Sequence, residues 1–285
     1  MAESMSSERA WTELLALGSG RVVAVDDERA GELVHVLNRQ GEPKVVSWAL
    51  AALADPDPWH RKAAAWVLGE HGYEAGRPFG AQTLPALVQA ARAERDGETR
   101  SFIVSAIGHA DDPAWVEELM FYANDEYPRV REVVAGSLPI MFVGEQMSPA
   151  AITALITLTN DPDPQVRDWA TMSLGSQTDQ DSDQIRAALR ARLDDPDPDA
   201  DTAGEAALGL ARRHDPAVFT YLDRWLSAPP DQVGNLTVEA AGELGDTRLL
   251  PKLLALSDSG WQNTDPRPNT LADAIAALTS QRADP

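Results

Sequence analysis

The tetrapeptide Asp-Pro-Asp-Pro occurs three times, at 55, 161 and 195, and no other feature constrains the fold as strongly. Proline disfavours a helical residue before it and suits the first position of a helix, while an aspartate caps the free N–H groups of a helix start. One such tetrapeptide therefore stops one helix and begins the next at a tight corner. After the corner at 161, Val166, Ala170 and Leu174 fall at i, i+4 and i+8, a stripe that faces a neighbouring helix. Gly175, which follows the stripe, suits a C-terminal cap. A single helical pair built this way cannot bury its apolar flank, but a stack of similar pairs can.

Counting the first Asp of 161–175 as offset zero, the same register returns at 55, 94, 125, 195 and 231, at intervals of 39, 31, 36, 34 and 36 residues. A period near 35 lets about eight two-helix units tile the 285 residues. The pattern predicts helices over 8–17, 27–39, 43–54, 57–71, 81–94, 98–109, 112–123, 127–142, 148–159, 163–175, 182–193, 199–213, 215–227, 231–244, 246–257 and 267–280. Connections at 72–80, 227–235 and 257–268 depart from the period and read as inserts.

The motif D-P-D-P-x-V-R-x-x-A-x-x-x-L-G at this period resembles the HEAT-repeat family, particularly the short bacterial type called phycobilisome-lyase-like. The resemblance covers residues 27–280 and implies an all-α fold, a right-handed α-solenoid of stacked helical hairpins. Residues 1–26 then form an N-terminal cap region and 281–285 a short tail. The resemblance also implies that the arginine at offset six pairs with a turn aspartate of an adjacent repeat. Arg61, Arg100, Arg131 and Arg167 stand at that offset, with Asp55, Asp125, Asp161 and Asp195 as turn acids of the ladder. Asp201 and Thr237 break it.

Charge and composition narrow the partner. A net charge of −21, spread along the chain, repels phosphate backbones and anionic lipid, so neither nucleic acid nor membrane is expected. The absence of cysteine removes disulfides, thiolate metal sites and thiol nucleophiles and suits a reducing cytoplasm. The start, MAESMSSERAWTELL, lacks the basic and apolar regions of an export signal, and no segment approaches eighteen apolar residues. A soluble, cytoplasmic protein is expected. Three lysines against 21 arginines, with abundant Ala and Asp, point to a GC-rich bacterial genome.

With offsets 5, 9 and 13 buried, helical geometry turns offsets 4, 7 and 11 of each second helix outward. That wall carries Trp59, Lys62 and Trp66, then Glu98, Ser101 and Ser105. It continues with Arg129, Glu132 and Gly136, then Gln165, Asp168 and Met172, then Asp199, Thr202 and Ala206. Tryptophan and arginine dominate interface hot spots, so Trp59 and Trp66 are the first candidates for partner contact. Lys62, Arg129, Glu132, Gln165, Asp168 and Met172 share their wall. Against this, Trp66 could rotate into the core or sit beneath the 72–80 insert. Trp169, at offset eight, is expected in the core, and Trp261 serves as either a lid or an anchor.

No catalytic, cofactor or metal site is read. The run DQDSDQ at 179–184 alternates carboxylates as a calcium loop does, but Gln184 and Arg190 stand where glycine and glutamate are needed. No His-Glu dipeptide occurs, which sets the chain apart from the di-iron hydroxylases with HEAT-like repeats. Trp66, Asp168 and Trp169 are similar to residues of the helical-repeat alkylpurine glycosylases, but the acidic balance opposes a grip on DNA. The expected function is a non-catalytic scaffold whose concave face binds another protein or peptide, a basic one being favoured by the charge, with no cofactor and with the oligomeric state left open, monomer being slightly favoured. Two alternatives stand beside it: an enzyme or enzyme accessory similar to the phycobilin lyases, and an acidic immunity or inhibitor protein for a basic toxin.

Overall fold

The computed structural model describes residues 5–18, 28–40, 42–70, 79–109, 113–142, 144–196, 201–262 and 270–281. Among these there is no strand, and sixteen α-helices pair into hairpins in two compact units, Met1–Glu145 and Gln146–Pro285. The first unit holds α1 (Ser7–Leu17), α2 (Glu28–Gln40), α3 (Pro43–Ala52), α4 (Pro58–Glu70), α5 (Gly80–Ala93), α6 (Gly97–Gly108), α7 (Val116–Met120) and α8 (Pro128–Ser137). The second holds α9 (Pro149–Leu158), α10 (Pro164–Gly175), α11 (Asp183–Arg190), α12 (Thr202–Arg212), α13 (Phe219–Trp225), α14 (Asn235–Leu244), α15 (Leu250–Asp258) and α16 (Thr270–Gln281). Consecutive helices form the hairpins, and second helices lie against one another: α2, α4, α6 and α8 in the first unit, α10, α12, α14 and α16 in the second. This is the all-α stacked-hairpin fold the period demands.

The corners work as the Asp-Pro chemistry requires. The Asp55 carboxylate accepts the Asp57 N–H at 2.8 Å, and Asp57 accepts the Trp59 N–H at 2.8 Å, with Pro58 opening α4. Asp161 and Asp163 repeat this ahead of Pro164, where Asp163 takes the N–H groups of Gln165 and Val166. Glu94 and Asp96 do the same without either proline. In the third Asp-Pro-Asp-Pro copy only Asp195 and Pro196 are described, while residues 197–200, with Asp199, lie outside the described residues.

The arginine ladder is present. Each offset-six arginine donates to the carbonyl at offset zero of its own repeat: Arg61 to Asp55, Arg100 to Glu94, Arg131 to Asp125 and Arg167 to Asp161. Three of them also fork onto the acid that opens the next repeat. Arg100 holds Asp125 at 2.7 and 2.8 Å, Arg167 holds Asp195 at 2.9 Å twice, and Arg61 holds Glu94 at 2.6 and 3.0 Å. A two-point guanidinium–carboxylate contact fixes direction as well as distance, so each fork sets the angle between consecutive hairpins. Glutamate serves as well as aspartate at 94, one carbon longer.

Two expectations are corrected. Gly175 is not a cap but the last residue of α10, packed against α12. A Cβ on Gly175 would lie 2.8 Å from the Glu205 carbonyl oxygen, and one on Gly209 2.5 Å from the Gly175 Cα. Gly69, one residue before the end of α4, and Gly108, the last residue of α6, stand at the same offset. At Gly69, Gly175 and Gly209 the offset-fourteen glycine thus lets neighbouring second helices touch backbone to backbone, Gly108 makes room for the Ser137 side chain, and Gly245, at φ +70°, is instead a left-handed cap. The helix expected over 127–142 stops at Ser137, because Pro139 has no N–H to continue the helical bonding, and a 3-10 turn follows over Ile140–Phe142.

Of the three inserts, 72–78 lies outside the described residues, 227–235 contains the 3-10 turn Pro230–Gln232, and 257–268 is described only to Gln262. Trp261 in that last connection is an anchor, its indole N–H donating to the Val233 carbonyl at 3.0 Å. Among the described residues no helix is long and apolar enough to cross a membrane.

Candidate functional site

Side-by-side packing of second helices decides which residues reach solvent. A side chain at offset seven points at the next second helix, so this column is covered: Lys62 is 8% exposed, Glu132 9%, and Thr202 is fully buried. The outward positions are instead mostly offsets 4, 8, 11 and 15, although Trp59 and Ala63 on α4 and Ala206 and Leu210 on α12 are buried. Of the expected set, offsets 4 and 11 reach solvent at the described positions except Trp59 and Ala206, while offset seven is covered except at the half-buried Asp168.

The two leading tryptophans separate. Trp59 is 7% exposed, and its indole N–H donates to the Leu14 carbonyl at 2.8 Å beneath α1. Its ring lies where a Gly18 side chain would be, so the first hairpin covers the position that lies open in later repeats. Trp59 is therefore removed from the contact surface. Trp66 remains on it, half-buried, meeting Phe102 edge to face at 6.3 Å between ring centroids. Trp169, expected in the core, is 39% exposed, because offset eight belongs to the open stripe.

The polar wall residues are largely paired with one another. The Lys62 ammonium lies 2.7 Å from Glu98 and 5.8 Å from the Phe102 ring centroid. Arg129 pairs with Glu132 one turn away along α8. In the second unit, the Thr202 hydroxyl donates to Asp168 at 3.2 Å, while Gln165 is exposed and Met172 half-buried. The Ser176 hydroxyl donates to Glu205 at 2.6 Å, and burial raises the Glu205 carboxyl above its ordinary range, with Asp168, Asp201 and Glu239 adding to the rise. Among the described residues no group of His, Asp and Glu is placed to hold a metal ion.

On the first unit a pocket of about 210 Å³ opens across α4, α6 and α8. Ala65, Gly69, Ala106 and Val133 form its apolar floor, and Trp66 and Phe102 its aromatic wall. Ser101, Ser105, Glu70, His109 and Arg129 complete the lining, with His109 Nδ1 3.4 Å from the Glu70 carboxylate. Of the sequence-read candidates, the structure brings Trp66 and Arg129 together here, with Lys62 behind Phe102. Phe102 and His109 were missed; reading the columns at offsets 8 and 15 would have found both. Gln165, Asp168 and Met172 belong to the second unit and do not line this pocket.

Residues 84–175 match a family model described as HEAT repeats, so the chain carries these repeats, and the same hairpin stacking continues in both units outside that stretch. The structure is similar to that of YibA from Escherichia coli, with a TM-score of 0.70 and 23% identity over 96% of this chain and 95% of that one. That likeness shows the fold. The complex of CpcE and CpcF of phycocyanin lyase from Nostoc aligns at a TM-score of 0.48 and 18% identity, over 82% of this chain and 94% of that one. Human deoxyhypusine hydroxylase in complex with glycerol aligns at 0.35 and 19%, over 98% and 99%. Neither of these two carries an argument about this chain. No curated protein matches the sequence.

Proposed function

We propose that this chain is a non-catalytic helical-repeat module that holds another protein or peptide against the second-helix face of its first unit. The observation that carries this reading is the pocket around Trp66 and Phe102, an aromatic, largely apolar recess on a wall whose flanking charges already pair with each other. Desolvated aromatics ringed by paired polar groups are the usual composition of an interface centre. The net charge of −21 favours a basic partner, whose approach it would accelerate in a salt-dependent way. Absence of cysteine supports a cytoplasmic setting.

Ser105, His109 and Glu70 share the pocket, a residue set that can serve hydrolysis. His109 faces Glu70, but it meets Ser105 only through its backbone N–H on the Ser105 carbonyl, and a nucleophile needs the imidazole within hydrogen-bond reach of its hydroxyl. This supports contact over catalysis. The test is affinity capture with the wild type and with a Trp66→Ala/Phe102→Ala variant whose circular dichroism is unchanged. Capture is expected to fail with the variant and to weaken with salt for the wild type. Equal capture by the two proteins discards the site, and ester hydrolysis that depends on Ser105 discards the non-catalytic role.

A further inference from the structure

We propose that the pocket receives an arginine side chain of the partner, its guanidinium held against Trp66 and Phe102 and directed at the Glu70 carboxylate. The inference rests on the reading of this pocket as the contact site and names the chemistry that fills it. Its first support is the protein's own arrangement one step away. Lys62 sends an aliphatic stem along the wall and places its ammonium 5.8 Å from the Phe102 ring centroid and 2.7 Å from Glu98. The wall therefore already satisfies a cation with one aromatic face and one carboxylate. The pocket offers that pair again in an open recess: Trp66 and Phe102 edge to face, with Glu70 at the rim.

Shape and charge choose among occupants. The floor of Ala65, Gly69, Ala106 and Val133 suits methylene groups, and a purely apolar side chain could use it. Such a side chain would strip water from the half-exposed Glu70 carboxylate and add no charge to the His109 contact that it already makes, a costly exchange. An anionic side chain would meet Arg129, but that guanidinium is already engaged by Glu132. A cation is repelled by Arg129 on α8 and by His109 when protonated, and is drawn to Glu70 on α4, which fixes its direction. Arginine is preferred to lysine because its planar, weakly hydrated guanidinium stacks on rings and pairs with a carboxylate at two points. The overall charge of −21 attracts a segment rich in such residues from a distance.

The experiment titrates the full chain with the methylamides of N-acetylarginine, N-acetyllysine, N-acetylleucine and N-acetylglutamate. The readout is the indole N–H resonance of Trp66, assigned through Trp66→Phe. Arginine is expected to move that signal saturably, lysine to do so more weakly, and the other two to leave it in place at the same concentration. Glu70→Gln and Phe102→Leu, both near wild-type melting temperature, are each expected to weaken the arginine compound about tenfold. Saturation by leucine or glutamate at an equal or lower concentration overturns the arginine assignment, as does an unchanged response in Glu70→Gln. If no compound moves Trp66 while partner capture still requires Trp66 and Phe102, the arginine assignment falls and the contact site stands. Capture indifferent to both rings removes the site itself.

Discussion

The corners between residues 55 and 132 and those between 176 and 250 solve one problem with different parts. In the first region, Arg61 and Arg100, each six residues into its repeat, tie the corner's own carbonyl to the acid of the next corner. In the second, offset six holds Asp201 and Thr237, and the arginines come from elsewhere. Arg190 and Arg186, on α11, converge on the fully buried Asp215, which also accepts the Ala217 N–H at 3.0 Å. Arg213, 8% exposed, donates to the carbonyls of Leu174, Gly175, Thr178, Gln180 and Gly209. The left-handed residues His214 and Gly245 each precede an aspartate that caps a 3-10 turn. The period is thus set by the apolar stripe and the close helix contacts. The polar anchor can move, provided that every buried carbonyl and carboxylate keeps a partner.

The sharpest way to break that comparison is Arg213→Ala. A single guanidinium closes the C-terminal carbonyls of α10 and its following loop, so its removal orphans several buried acceptors together. The expected loss is about 3–5 kcal/mol in a denaturant titration. Arg100→Ala removes one fork and one carbonyl contact and should cost clearly less. Equal losses would mean that the two regions do not differ in how their anchoring is concentrated.

This contrast also shows what the sequence could and could not reveal. The ladder at Arg61, Arg100 and Arg167 was legible because spacing, residue type and role coincide at one offset. Arg213 and Asp215 were not, because their partners lie on α10, α11 and the loop after α10, at separations no motif records. At the candidate site, Trp66 and Arg129 were readable from helical periodicity. Trp59 was misplaced because α1 covers it, and Lys62 and Glu132 because offset seven faces a neighbouring helix, a fact of three-dimensional stacking. Phe102 was passed over for the same reason in reverse.

Close backbone contact is common to both regions and can be tested against a cap that belongs to the second alone. Gly209→Ala pushes a methyl group to 2.5 Å from the Gly175 Cα, where no flexible side chain can give way, and should cost about 1–3 kcal/mol. Gly245→Ala must hold φ +70°, a strain of about 1 kcal/mol. The first variant should melt lower than the second; the reverse order would make the cap, not the contact, the stronger constraint. Next in size is Arg100→Lys, which keeps the charge and loses the fork to Asp125, at a cost of about 1 kcal/mol in the same titration.

The smallest effect is a change of slope with pH, opposite in sign in the two regions. Burial raises the carboxyls of both Glu94 and Glu205. At Glu94, the hydrogen bonds from Arg61 and from the Asp96 N–H more than offset it, so the group titrates below its ordinary 4.5. Glu205 has no arginine fork, only the Ser176 hydroxyl and neighbouring acids, so it titrates above 4.5. The folded state therefore gains from ionised Glu94 above pH 4.5 and loses that gain as pH falls through the lowered value. With Glu205 the contribution is fully present below pH 4.5 and is lost as pH rises through the raised one. Glu94→Gln should accordingly be less stable than wild type at neutral pH, with the gap narrowing in acid. Glu205→Gln should gain on wild type as pH rises above 4.5. Melting curves across that range decide it: parallel wild-type and variant profiles would show that the arginine fork makes no difference to how a buried acid is held.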